Sequence, residues 1–131
     1  MSEILNFDDT LVHHLGIEII QLNEEGVVAT MPVDKRTIQP FGILHGGASV
    51  ALAESVASIG TYHLIDQEKQ NCVGLEINAN HLRAKKVGSK VKAIAKTLHR
   101  GRKTMVWDIK IVDEEEKLVC VSRCTMAIID I

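Results

Sequence analysis

The sequence has little that would staple it or carry it into a membrane. Its three cysteines, Cys72, Cys120 and Cys124, are an odd number with no CxxC pair. That argues against a disulfide framework and reads as reduced thiols in a cytoplasmic protein. No apolar run approaches the roughly 18–20 residues that span a bilayer. The start, MSEILNFDDTLVHHLG, lacks the basic stretch of a secretory leader. Neither sign of charge dominates: the net charge of -2 gives no footprint for nucleic acid or an anionic membrane surface. Aromatics are scarce, with only Phe7, Phe41, Tyr62 and Trp107. Low-complexity tracts, repeats and linkers are also missing, so residues 1–131 read as one domain.

What is present is ordered by period. The segment DDTLVHHLG reads as a short helix, with an Asp at its start and Gly16 at its end. LGIEIIQLN and GVVATMPVD alternate apolar and polar residues around the turn NEEG, which predicts a hairpin. Residues 35–45 form a loop marked by Pro40 and Gly42. From Gly46 to about Ile65 no turn signal interrupts a run rich in Ala, Leu, Val and Ser, which predicts one long helix. Four strand-like runs follow, rich in Val, Ile and Thr, and their short connections suggest an antiparallel meander. The helix is apolar nearly all round, so it should be buried on several sides. The expected architecture is α+β: a long central helix wrapped by a curved antiparallel sheet of five to six strands. Its uncovered flank would need a partner chain.

Within QPFGILHGGASVALAES, residues 39–55, one carboxylate interrupts a small, apolar run. Burying it is costly unless something compensates. At about 100° per residue, Gly47, Val50, Ala51, Glu54 and Ser58 share one stripe, with Glu54 and Ser58 at i and i+4. The N–H groups of Gly46 and Gly47 begin the helix without intrahelical acceptors, at the positive end of its dipole. Such fixed donors suit a developing oxyanion. Gln39 and His45 precede them as polar residues in an apolar loop. Glu54 lies eight residues beyond Gly46, roughly 12 Å along the axis. Either the two serve different purposes or they meet across a dimer interface. No histidine pair has metal-ligand spacing, so no metal is expected. Two basic turns, around His81 and Arg83 and around Arg102 and Lys103, could hold a phosphorylated tail.

These residues, with VGLEINANHLR and HRGRKTMVWDIKI, make the chain resemble a hotdog-fold acyl-CoA thioesterase of the PaaI-like group. It is similar in particular to the 1,4-dihydroxy-2-naphthoyl-CoA, enterobactin-proofreading and 4-hydroxybenzoyl-CoA thioesterases. The resemblance implies a hotdog dimer, usually paired again into a tetramer. It implies Glu54 as nucleophile or general base, the Gly46 amide polarising the thioester carbonyl, and Gln39, His45 and Ser58 assisting. Gly47, His81, Arg83, Arg102 and Lys103 are the matching candidates for holding substrate and CoA. The substrate would be an acyl-CoA or acyl-carrier protein, with CoA part of the substrate and no separate cofactor. Two alternatives stay open: a hotdog acyl-thioester hydratase or dehydratase, and a non-catalytic acyl-CoA binding protein.

Overall fold

The computed structural model describes residues 5–131. The elements run α1 (Leu11–His14), β1 (Glu18–Asn23), β2 (Gly26–Pro32), α2 (Gly46–Leu64), β3 (Gln70–His81), β4 (Lys90–Arg100), β5 (Thr104–Val112) and β6 (Leu118–Asp130). The expected hairpin is β1–β2, closed where Asn23 Oδ1 accepts from the Glu25 and Gly26 N–H groups. The first helix is only four residues long. Its N-cap is Thr10 rather than an aspartate, and the Thr10 hydroxyl donates to the Phe7 carbonyl instead of capping. Gly16, at φ +73°, ends it as the sequence suggests.

All six strands form one antiparallel sheet in the order β1-β2-β4-β5-β6-β3. The expected four-strand meander therefore shrinks to β4-β5-β6. β3 leaves the series and pairs with β6 at the far edge. The segment 82–89 makes this possible despite its shortness. Eight extended residues reach about 26 Å, whereas β3 and β4 are three strand spacings apart, about 14 Å. The segment crosses the end of the sheet in contact with it, through Leu82 N–H to the Val119 carbonyl and Gly88 N–H to the Val33 carbonyl.

α2 lies across the inner face of the sheet. Leu52, Ala53, Val56 and Ala57 are fully buried against Ala29, Met31, Ala93, Trp107 and Ile109. The small residues let the layers approach closely. A Cβ on Gly60 would come within 2.5 Å of Trp107 Cη2, so only glycine lets the indole pass the helix there. Trp107 Nε1–H donates to Thr61 Oγ1 at 2.8 Å, which pairs both polar groups inside the core. The opposite stripe of α2 stays open, with Gly47 and Glu54 exposed and Val50, Ala51 and Ser58 half-buried. This is the uncovered flank that the sequence predicts. No helix among the described residues is long and apolar enough to cross a membrane.

Candidate active site

The open stripe of α2 is the floor of a groove of about 800 Å³. The segment from Leu5 to Val12 forms one wall, and Asn71 and Cys72 at the start of β3 form the other. Gly47, Glu54 and Ser58 all face it, as the helical spacing predicts. Glu54 sits midway along the floor and has no hydrogen-bond or ion-pair partner among the described residues. It rests against the β3 backbone: a Cβ on Gly74 would lie 2.5 Å from Glu54 Oε2. β3 carries a bulge between Gly74 and Glu76 at that point. Glycine at a bulge permits such close approach. The Cys124 thiol beneath is pushed up to about 12 by burial, and then by the charges of Glu54 and Glu76. It is therefore a neutral thiol rather than a nucleophile. Ser58 Oγ shares the groove with Glu54, but no hydrogen bond joins the two. The Ser58 carbonyl instead accepts from the Cys72 thiol at 3.7 Å.

The helix entry differs from expectation in one respect. His45 is the N-cap, and its Nδ1 accepts from Gly47 N–H at 2.7 Å. Gly47 therefore has no free donor, and among the described residues only the Gly46 N–H remains open at the dipole's positive end. With Nδ1 accepting, the proton of a neutral His45 ring sits on Nε2. Gln39 caps its own turn: its Oε1 accepts from Phe41 N–H, and its carbonyl accepts from Gly42 N–H at 2.9 Å. The Gln39 amide NH₂ is left as a donor, the group a carbonyl oxygen needs.

Gly46 does not open onto the Glu54 groove. It opens onto a second depression of about 360 Å³, shared with His81 and Arg83. His81 covers it: a Cβ on Gly46 would be 2.9 Å from His81 Nε2. Within one protomer, then, carboxylate and amide are about 12 Å apart along the axis, as their spacing requires. The two basic turns are also separated. Arg83 and His81 lie beside the start of α2. Arg102 and Lys103 sit in the β4–β5 turn, which meets the helix's other end through Arg100 Nη2 donating to the Leu64 carbonyl at 3.2 Å. They cannot both hold one tail within a single chain, because α2 is about 28 Å long. No group of three metal-ligating side chains occurs among the described residues. Sequence reasoning passed over Gly74, Tyr62, Asn71 and Cys72. Only Gly74 carried a signal, a glycine inside an otherwise continuous strand pattern.

The model of the thioesterase superfamily matches residues 41–120, from the loop before α2 into β6. A 1,4-dihydroxy-2-naphthoyl-CoA hydrolase of Escherichia coli is 48% identical over 122 residues, covering 93% of this chain and 88% of that protein. The crystal structure of a thioesterase from Haemophilus influenzae superposes with a TM-score of 0.89 at 51% identity, covering 95% of this chain and 85% of the other. A hypothetical thioesterase with coenzyme A from Streptococcus pneumoniae gives 0.78 at 27%, covering 86% and 87%. A long helix under a six-stranded antiparallel sheet, an exposed helix-borne carboxylate and this likeness along nearly the whole chain converge: the protein belongs to the thioesterase superfamily and is a hotdog-fold acyl-CoA thioesterase.

Proposed function

We propose that the chain hydrolyses an aromatic acyl-CoA, of the hydroxybenzoyl or dihydroxynaphthoyl kind, with Glu54 as the acting carboxylate. The observation that carries this is Glu54 itself, without a partner among the described residues, on the floor of a groove large enough for an aryl group. With no cation or donor fixing it, the carboxylate is open to water and to a ligand in the groove, as a general base or nucleophile must be. The name of the Escherichia coli relative supports the acyl class.

In this reading Glu54 of one protomer faces Gly46 and Gln39 of its neighbour. The thioester carbonyl oxygen accepts from Gly46 N–H, with the Gln39 amide as second donor. Glu54 takes a proton from water, the water oxygen bonds to the carbonyl carbon, and the C=O electron pair moves to the oxygen. Collapse restores the carbonyl and breaks the C–S bond. The thiolate takes the proton from Glu54 and leaves as CoA. The alternative is direct attack by Glu54, through an anhydride that water then opens. Both routes need the same unpaired carboxylate. His45 holds the helix entry, and Ser58, which lines the same groove as Glu54, is assigned the role of holding the water. His81, Arg83, Arg102 and Lys103 are candidates for the CoA tail, the two pairs coming from different protomers. The exposed apolar residues Val73 and Leu75 on the open β3 edge favour a dimer, and the reading extends to a dimer of dimers in the cytoplasm.

Thiol release from a panel of acyl-CoAs tests this. An aryl-CoA should exceed octanoyl-CoA by about tenfold in kcat/KM. Glu54→Gln should lower kcat by roughly 10²–10⁴ while substrate still binds. Near-normal turnover by Glu54→Gln would remove the carboxylate from the mechanism. Hydration of enoyl-CoA without thiol release would point to the hydratase class instead.

A further inference from the structure

The helix entry that bares Gly46 N–H is held by main-chain hydrogen bonds to its own loop and to the crossing segment. His45 N–H donates to the Thr37 carbonyl at 2.8 Å, inside the same loop. Leu44 N–H donates to the Lys85 carbonyl at 2.8 Å, and Ile43 bridges to Lys86. Lys85 and Lys86 belong to the crossing segment 82–89, whose first residues wall the depression over Gly46. The segment therefore holds one side of the entry, and the loop bond to Thr37 holds the other.

Main-chain hydrogen bonds at Leu82 and Gly88 hold the two ends of the segment, and in its middle one side-chain interaction ties Lys85 to the sheet. Its Nζ meets Asp113 Oδ2 at 3.2 Å, with the two side chains 18% and 2% exposed. The other five ion pairs among the described residues have side chains at least 34% exposed. Asp113 is itself fixed by the β5–β6 turn: its Oδ1 accepts from Glu115 N–H and Lys117 N–H, both at 2.9 Å. Taking a charge pair out of water gives little net stability, and its best-attested return is a fixed register. We propose that the Lys85–Asp113 pair is a positioning device for the reaction, fixing the crossing segment and through it the Leu44–Gly46 backbone. This rests on the reading of Gly46 N–H as a donor to the thioester carbonyl. Lys85 and Asp113 line neither the groove nor the depression over Gly46. They act through the Leu44 hydrogen bond.

The test is Lys85→Met, which keeps the aliphatic stem and removes the ammonium. kcat should fall about tenfold with KM within about twofold, because a donor used in the transition state is misplaced. Lys85→Arg should keep about half of wild-type kcat or more. Hydrogen exchange gives a readout independent of turnover. The Leu44 amide should exchange about tenfold faster in Lys85→Met, while the Ile109 amide in the sheet core is unchanged. Asp113→Asn, nearly isosteric, should shift the same two readouts in the same direction. Wild-type kcat and Leu44 protection in both variants would overturn the proposal. So would activity lost only in proportion to unfolded protein, with Leu44 and Ile109 deprotected together. Glu54→Gln run alongside separates the two readings. Normal turnover there defeats the mechanism, whereas Leu44 exchange still decides the clamp.

Discussion

Replacing Gly74 by alanine adds one methyl group beneath the carboxylate of Glu54. The added Cβ would lie 2.5 Å from Oε2, whereas ordinary van der Waals contact begins at 3.4 Å. The carboxylate must therefore retreat by about 0.9 Å. It is the end of a flexible side chain on an open face, so it can move without disturbing the fold. A displacement of that size at a reacting group costs roughly 10²-fold, or about 2.7 kcal/mol in the barrier. Stability should move the other way. Gly74 is not among the positive-φ glycines, so alanine fits its backbone. The loss of unfolded-state freedom should then add about 0.4–1 kcal/mol. Thiol-release kinetics on an aryl-CoA and a thermal melt measure both. The expected result is kcat down by about two orders of magnitude with an equal or higher Tm. Wild-type kcat in a folded Gly74→Ala protein would refute the claim that Glu54 works from this position.

Two further outcomes are expected. Hydrogen bonds from Lys117 N–H first, then Glu115 N–H and Lys85, hold the Asp113 carboxyl below the usual carboxylate range. A pKa lower in the folded than in the unfolded state adds stability that is complete above the unfolded value and lost as pH falls through the folded one. The urea midpoint of Asp113→Asn should therefore change less than that of wild type between about pH 5 and pH 3. Equal acid sensitivity would show that Asp113 is not a source of it. The second outcome concerns thiols. Burial raises all three, but only Cys72 lines the groove. A maleimide should label Cys72 slowly and leave Cys120 and Cys124 unmodified until the protein unfolds. A bound aryl-CoA analogue should protect Cys72, and unaltered labelling would put the ligand elsewhere.

Local signals carried much of this molecule. The uninterrupted run after Gly46 marks α2, and its helical period alone puts Glu54 and Ser58 on the groove side. The turn NEEG marks the hairpin. Long-range placement was less legible. Nothing in residues 82–89 tells an eight-residue connection to cross the sheet end rather than turn back. The contacts that hold it there, to Leu44, Val119 and Asp113, are distant in sequence. The separation of the two basic turns follows from that topology. Two details of the site depend on side-chain geometry: His45 takes up the Gly47 N–H, and Gly74 supports Glu54. A glycine in a strand hints at close approach but does not say to what.

The central claim is that Glu54 acts on a thioester held by the neighbouring protomer's Gly46. Co-expression of Glu54→Gln chains with Gly46→Pro chains tests it most directly, proline at that first helical position removing the N–H. Each variant alone should be inactive. Random pairing makes half the dimers mixed, each with one intact site of two, so the mixture should recover about a quarter of wild-type kcat. Mixed dimers as inactive as either parent would contradict a site shared between protomers.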